Sequence, residues 1–95
     1  MENNLVLEKS FAFALRIVRL CKYLSDQKHE YILSKELLTA GTNIGKHVKE
    51  AISAESRQVF INEFGVARRK ASETEYWLQL LLQAELIQKH EFESI

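Results

Sequence analysis

The sequence predicts an all-α fold: an up-and-down antiparallel bundle of three long helices and a C-terminal helical stub, of four-helix-bundle type and oligomeric. Three observations predict it. The 95 residues include no Pro and only three Gly, so the chain lacks the turn signals that an all-β fold needs roughly every 8–12 residues. Apolar residues recur at three and four along three long segments, the period of an amphipathic helix. The connections between these segments are short, which makes consecutive helices antiparallel. The length suits one domain, 1–95, with helices at about 5–27, 30–54 and 56–86 and the stub at 88–95.

The first helix carries two apolar stripes. Phe11, Ala14, Leu15, Val18 and Cys21 form one; Phe13, Ile17, Leu20 and Leu24 form the other. Lys9, Arg16, Arg19 and Tyr23 share the remaining face. A surface helix of a monomer needs a single stripe about 100° wide. Two stripes imply cover on two sides, one of them from a second subunit.

The second helix has one clean stripe of Leu33, Leu37, Ala40, Ile44, Val48, Ala51 and Ile52, with Lys35, Lys46 and Lys49 opposite. Gly41 and Gly45 lie beside the stripe. Each Gly costs a helix interior about 1 kcal/mol relative to Ala. Close approach of a neighbouring backbone is the reading that accounts for the pair. Gly41 to Lys46 does not have P-loop spacing and follows no strand.

The third helix places Phe60, Phe64, Ala67, Ala71, Leu78 and Leu82 on its core stripe, with Val59, Val66, Trp77 and Ala84 to one side. Ser56 is the candidate N-cap. Such a helix spans roughly 45 Å at 1.5 Å per residue, so it protrudes or packs on another subunit. Glu75 borders the core stripe between Ala71 and Leu78. A carboxylate there calls for a hydrogen bond or ion pair from a neighbouring helix, because unpaired burial is costly.

Composition excludes several classes. At 46% apolar and 27% charged the chain is an ordinary globular one. Its apolar runs are far shorter than the ~20 residues that span a bilayer, and its first residues do not read as a signal peptide. No membrane partner is expected. The single Cys21 excludes an intrachain disulfide and a cysteine-based zinc site, and it makes a reducing, cytoplasmic compartment the default. No Glu-x-x-His pair suited to a di-iron bundle is present; His29, His47 and His90 are isolated, and His47 with Glu50 reads as a surface pair. No nucleophile–base–orienter set is visible, so the expectation is no enzyme, no metal and no cofactor.

Charge leaves one positive signal. Thirteen basic side chains balance thirteen acidic ones, but unevenly: residues 1–72 hold 12 basic and 8 acidic, residues 73–95 one basic and five acidic. Basic residues decorate all three helices. Arg16, Arg19, Lys46, Lys49, Arg68 and Arg69 are the candidate phosphate contacts, since Lys and Arg dominate non-specific nucleic-acid affinity.

The run Gly41-Thr-Asn-Ile-Gly-Lys-His-Val-Lys-Glu-Ala51, then Phe60, then Ala71 through Glu75-Tyr-Trp-Leu78, resembles the four-helix-bundle family of 23S rRNA intervening-sequence proteins. Lys9-Ser-Phe-Ala-Phe-Ala14 fits the same pattern. The resemblance implies a non-enzymatic helical protein. It also takes in accessory variability determinants of diversity-generating retroelements, which implies a homopentameric ring, nucleic-acid binding through a basic surface, and association with a reverse transcriptase. The sequence departs from the family pattern at Asn43 and His47, and residues 87–95 supply only the start of a fourth helix. The reading is therefore a homo-oligomer, pentameric by resemblance, that binds rRNA or another nucleic acid. The alternative is a protein-interaction scaffold, for example to a reverse transcriptase, with little nucleic-acid affinity of its own.

Overall fold

The computed structural model describes residues 2–90, with side chains from Leu5 to His90. Three α-helices follow in order: α1 (Glu2–Lys28), α2 (Ile32–Ile52) and α3 (Arg57–Gln83). No strand occurs among the described residues. The fold is all-α, with the three expected long helices among the described residues. Of the expected stub at 88–95, residues 89 and 90 are helical and residue 88 is not; residues 91–95 lie outside the described residues.

The helix ends explain where the observed bounds differ from the expected ones. His29 adopts φ 53°, and the Glu30 amide donates to the Leu24 carbonyl at 2.9 Å. A left-handed residue just past the last turn is a common helix stop, built here on a residue other than Gly. Glu30 then turns its carboxylate onto the next helix, accepting from the amides of Leu33 (3.0 Å) and Ser34 (2.8 Å). The expected start at 30 thus becomes a cap, and α2 begins at Ile32. Ser56 caps α3, accepting from the Val59 amide at 3.2 Å. Glu85, at φ 63°, ends α3 before the expected Leu86.

α2 packs on both α1 and α3, whereas among the described residues no Cα of α1 comes within 8 Å of a Cα of α3. Two helices that share a neighbour while their own backbones stay apart occupy diagonal corners of a bundle. Their side chains still meet at one end, where Ile17, Leu20, Cys21 and Leu24 join Leu37, Leu78, Leu81 and Ile87 in the core. Thr74 is buried beside them, and its hydroxyl donates to the Lys70 carbonyl at 2.7 Å.

The core line of α3 runs through Ala67, Thr74, Leu78 and Leu81. This corrects the expected stripe: Ala71 and Phe60 are exposed, and Phe64 and Leu82 are half-buried. These four lie on the flank of α3 turned toward the side between α1 and α3. The stripe assumed a neighbour along that flank, and among the described residues Leu86 and Ile87, near one end, provide one.

Candidate functional surfaces

The expected site residues fall on separate surfaces, set by which flank of each helix they occupy. Gly41 and Gly45 lie on the α1-facing flank of α2. A β-carbon at Gly41 would stand 2.8 and 2.9 Å from the two γ-carbons of Ile17. One at Gly45 would stand 3.3 Å from the Ser10 carbonyl oxygen. The missing β-carbons therefore set how closely α1 approaches α2.

That approach creates a groove on the outside of the pair, of about 410 Å³. Leu7, Phe11, Ala14, Leu15 and Val18 of α1 form its apolar floor, and Lys46 and Lys49 of α2 stand at its edge. Phe11 is 69% exposed, Leu15 40% and Val18 43%. These three belong to the first stripe of α1; the second stripe, through Ile17, Leu20 and Leu24, is the one the chain buries. A second groove of about 370 Å³ continues the first, with Val18 shared and Lys22, Lys35 and Leu38 on its walls.

The six candidate phosphate contacts do not form one patch in a single chain. Arg16 and Arg19 lie on the flank of α1 away from α2, where Arg16 shares a shallow pocket with Lys9. Lys46 and Lys49 are exposed on α2, and Arg68 and Arg69 are exposed side by side on α3.

Two expectations about single side chains are corrected. Glu75 is exposed, and no neighbouring helix supplies it a hydrogen bond among the described residues; Thr74, one position earlier, is the buried polar group. A shift of one residue turns a helix by about 100°, which carries the carboxylate off the core line. His47 pairs not with Glu50 but with Glu63 of α3, Nδ1 to Oε1 at 2.7 Å, with both side chains partly buried. The wheel of one helix shows only neighbours within that helix, so a partner sixteen residues away on α3 was invisible to it.

Reactive chemistry finds little purchase. Burial, with a smaller contribution from the Glu30 charge, pushes the Cys21 thiol up to about 11. Its Sγ–H donates to the Ser34 carbonyl at 3.2 Å. A thiol so protonated is a poor nucleophile at neutral pH. No group of three or more His, Cys, Asp or Glu that could hold a metal occurs among the described residues. No described helix is long and apolar enough to cross a membrane.

The family of 23S rRNA-intervening sequence proteins matches the chain over residues 2–95. Comparison with curated proteins finds no match. Among solved structures, the chain is similar to a protein of unknown function from the S23 ribosomal protein family of Bacteroides thetaiotaomicron VPI-5482, determined by crystallography at 1.70 Å resolution. The two are 46% identical with a TM-score of 0.96, over 99% of this chain and 84% of that one.

Proposed function

The chain belongs to the family of 23S rRNA-intervening sequence proteins, and from that premise we propose that it forms a homo-oligomeric ring, pentameric by the resemblance described above, which binds RNA through basic helix faces without catalysing a reaction. The observation that carries this reading is the bare stripe of Phe11, Leu15 and Val18 on α1. Fully burying a side chain of this kind is worth about 1.5–3 kcal/mol. A contiguous row of three beside an apolar groove marks an association surface. A head-to-tail contact through that groove closes into a ring when its rotation allows.

Assembly also answers the scatter of the basic residues. One chain carries no net charge and presents Arg16 and Arg19, Lys46 and Lys49, and Arg68 and Arg69 on three faces. Repetition around an axis sets faces of adjacent copies side by side. Each phosphate neutralised then adds to affinity and to its salt dependence.

The test couples molar mass to RNA retention. Light scattering is expected to give a multiple of 11.1 kDa, reduced toward the monomer by Phe11→Asp. Structured RNA is expected to shift at about 50 mM salt and to be released by about 200 mM. A monomer at all concentrations sinks the ring. The second reading, a scaffold for a protein such as a reverse transcriptase, draws on the zero net charge and the split basic faces. Salt-independent capture of one protein, with no RNA shift, would decide for it.

A further inference from the structure

Two features of α3 have no role in the packing of a single chain. Residues 71–88 hold Glu73, Glu75 and Glu85 and neither Lys nor Arg. Gly65 lies inside the helix, where glycine is unfavourable relative to alanine. Yet among the described residues a β-carbon there would meet nothing within 4 Å, so no close approach within the chain calls for it. On the wheel Gly65 falls in a row with Ile61, Ser72 and Tyr76, opposite the buried line of Ala67, Thr74 and Leu81. Ile61 is 51% exposed and Tyr76 61%. The His47–Glu63 bond fixes the flank that α3 turns toward α2. The row therefore looks away from α2, on the side of the bundle opposite the α1–α2 groove.

We infer that this row is the other half of the ring contact: the outer face of α3 in one copy seats in the α1–α2 groove of the next. The inference rests on the ring reading and names the surface that meets the groove. A head-to-tail contact joins two different, complementary faces, and these two run along the helices on opposite sides of one chain. The rotation that joins them has its axis along the bundle, so residues that meet lie at one level. Gly45 approaches Ser10, and His47 bonds Glu63. Ser10 and Glu63 are thus nearly level, with α1 and α3 parallel. Phe11, 69% exposed, then comes level with Gly65 of the next copy, and the most exposed side chain of the groove floor meets the hollow in the row. Tyr76 reaches the second groove, lined by Val18, Lys22, Lys35 and Leu38. Lys35 follows Ser34, whose carbonyl binds the Cys21 thiol, and this places it level with Glu73 of the next copy. Glu73 bonds Lys70 at 3.3 Å on the surface of its own helix. Such pairs contribute little and exchange readily for a bond across the contact. The result has an apolar centre and a charged rim, as protein interfaces do.

Mixing two broken copies tests the contact. Phe11→Asp blocks the groove and Gly65→Trp blocks the row. Phe11 is exposed and Gly65 has open space beside it, so both variants should keep the parent circular dichroism. Light scattering is expected to show an assembled parent and each variant alone as a monomer. Mixed one to one, the variants should form a heterodimer and nothing larger, because one sound row and one sound groove remain between them. Charge gives a second, independent pair of variants. Lys35→Glu and Glu73→Lys should each raise the concentration at which the ring dissociates at least tenfold, and the double variant should recover most of that loss. A Gly65→Trp variant as large as the parent, a mixture that stays monomeric, or a double variant no better than the worse single one overturns the inference. With the parent assembled, any of these leaves the ring standing and puts its contact elsewhere. A monomeric parent overturns the ring and this contact together, so the parent's molar mass tells the two failures apart.

Discussion

Gly41 lies so close to Ile17 that a methyl group added to it would stand 2.8 Å from the nearer γ-carbon. Ile17 is fully buried, and its γ-carbons sit near the branch point, where χ1 is stiff. Relief therefore requires α1 to move away from α2. Gly65 on α3 has nothing within 4 Å of the same position. Identical substitutions at the two sites should thus change stability in opposite directions. Gly41→Ala is expected to destabilise by about 1–3 kcal/mol through overpacking. Gly65→Ala is expected to stabilise by up to about 1 kcal/mol through helix propensity. Urea unfolding of the two variants measures both; a neutral Gly41→Ala would show that the helices have slack at this crossing.

The two residues at positive φ carry a cost that can be removed. His29 and Glu85 hold the left-handed conformation that ends α1 and α3. A side chain there costs roughly 1–2 kcal/mol over Gly, partly offset by the greater freedom Gly has when unfolded. His29→Gly and Glu85→Gly should each raise stability by several tenths to about 1 kcal/mol. His29 also gives up a 3.3 Å contact with the Tyr31 hydroxyl, which is exposed, so Glu85→Gly is expected to gain more. Thermal melts of the two variants against the parent rank the pair.

His47 and Glu63 join α2 to α3 at 2.7 Å, with side chains 22% and 28% exposed. Partial burial shields such a bond better than the exposed Lys22–Asp26 pair at 3.0 Å within α1. A double-mutant cycle with His47→Ala and Glu63→Ala should return a coupling of about 1 kcal/mol. The same cycle on Lys22 and Asp26 should return a few tenths at most. Equal couplings would mean that burial confers no advantage here.

Legibility in the sequence followed how local each cause was. The stripe of α2 from Leu37 to Ala51, the Ser56 cap and the close approach at Gly41 and Gly45 depend on residues a few positions apart, or on a missing side chain, and a helical wheel displays them. The surplus stripe of α1 was visible for the same reason, and Phe11, Leu15 and Val18 are the residues left bare. The stops at His29 and Glu85 were not, because they use a left-handed conformation without the Gly that announces it. Nor was the α3 core line. Phe60, Phe64 and Ala71 are apolar in helical register, yet their burial depends on a neighbour at the fourth corner. The wheel marks which flank is greasy; it does not mark which flank is covered. The Glu75 expectation failed on this point, and His47 found its partner across helices rather than along one.

Cys21 gives the bundle a base-sensitive limit whose direction follows from its environment. Burial raises its thiol from 9.0 to about 11, so the folded state holds the proton more tightly than the unfolded chain. An unfolded thiol ionises first as pH rises and draws the equilibrium toward unfolding. The contribution is complete below about pH 9 and disappears as pH climbs through about 11. Urea unfolding midpoints should accordingly fall between those values, and the fall should be smaller in Cys21→Ala, which has no proton to lose. That variant also gives up the bond to the Ser34 carbonyl, so it starts lower at pH 7 and the two curves converge as pH rises. Alkylation supplies an independent reading. Iodoacetamide should modify native Cys21 far more slowly than the urea-unfolded chain at pH 8, because the reactive thiolate is scarce and the side chain is buried. Equal alkylation rates would place the thiol in water, and the pH-dependent stability would then have no source at this residue.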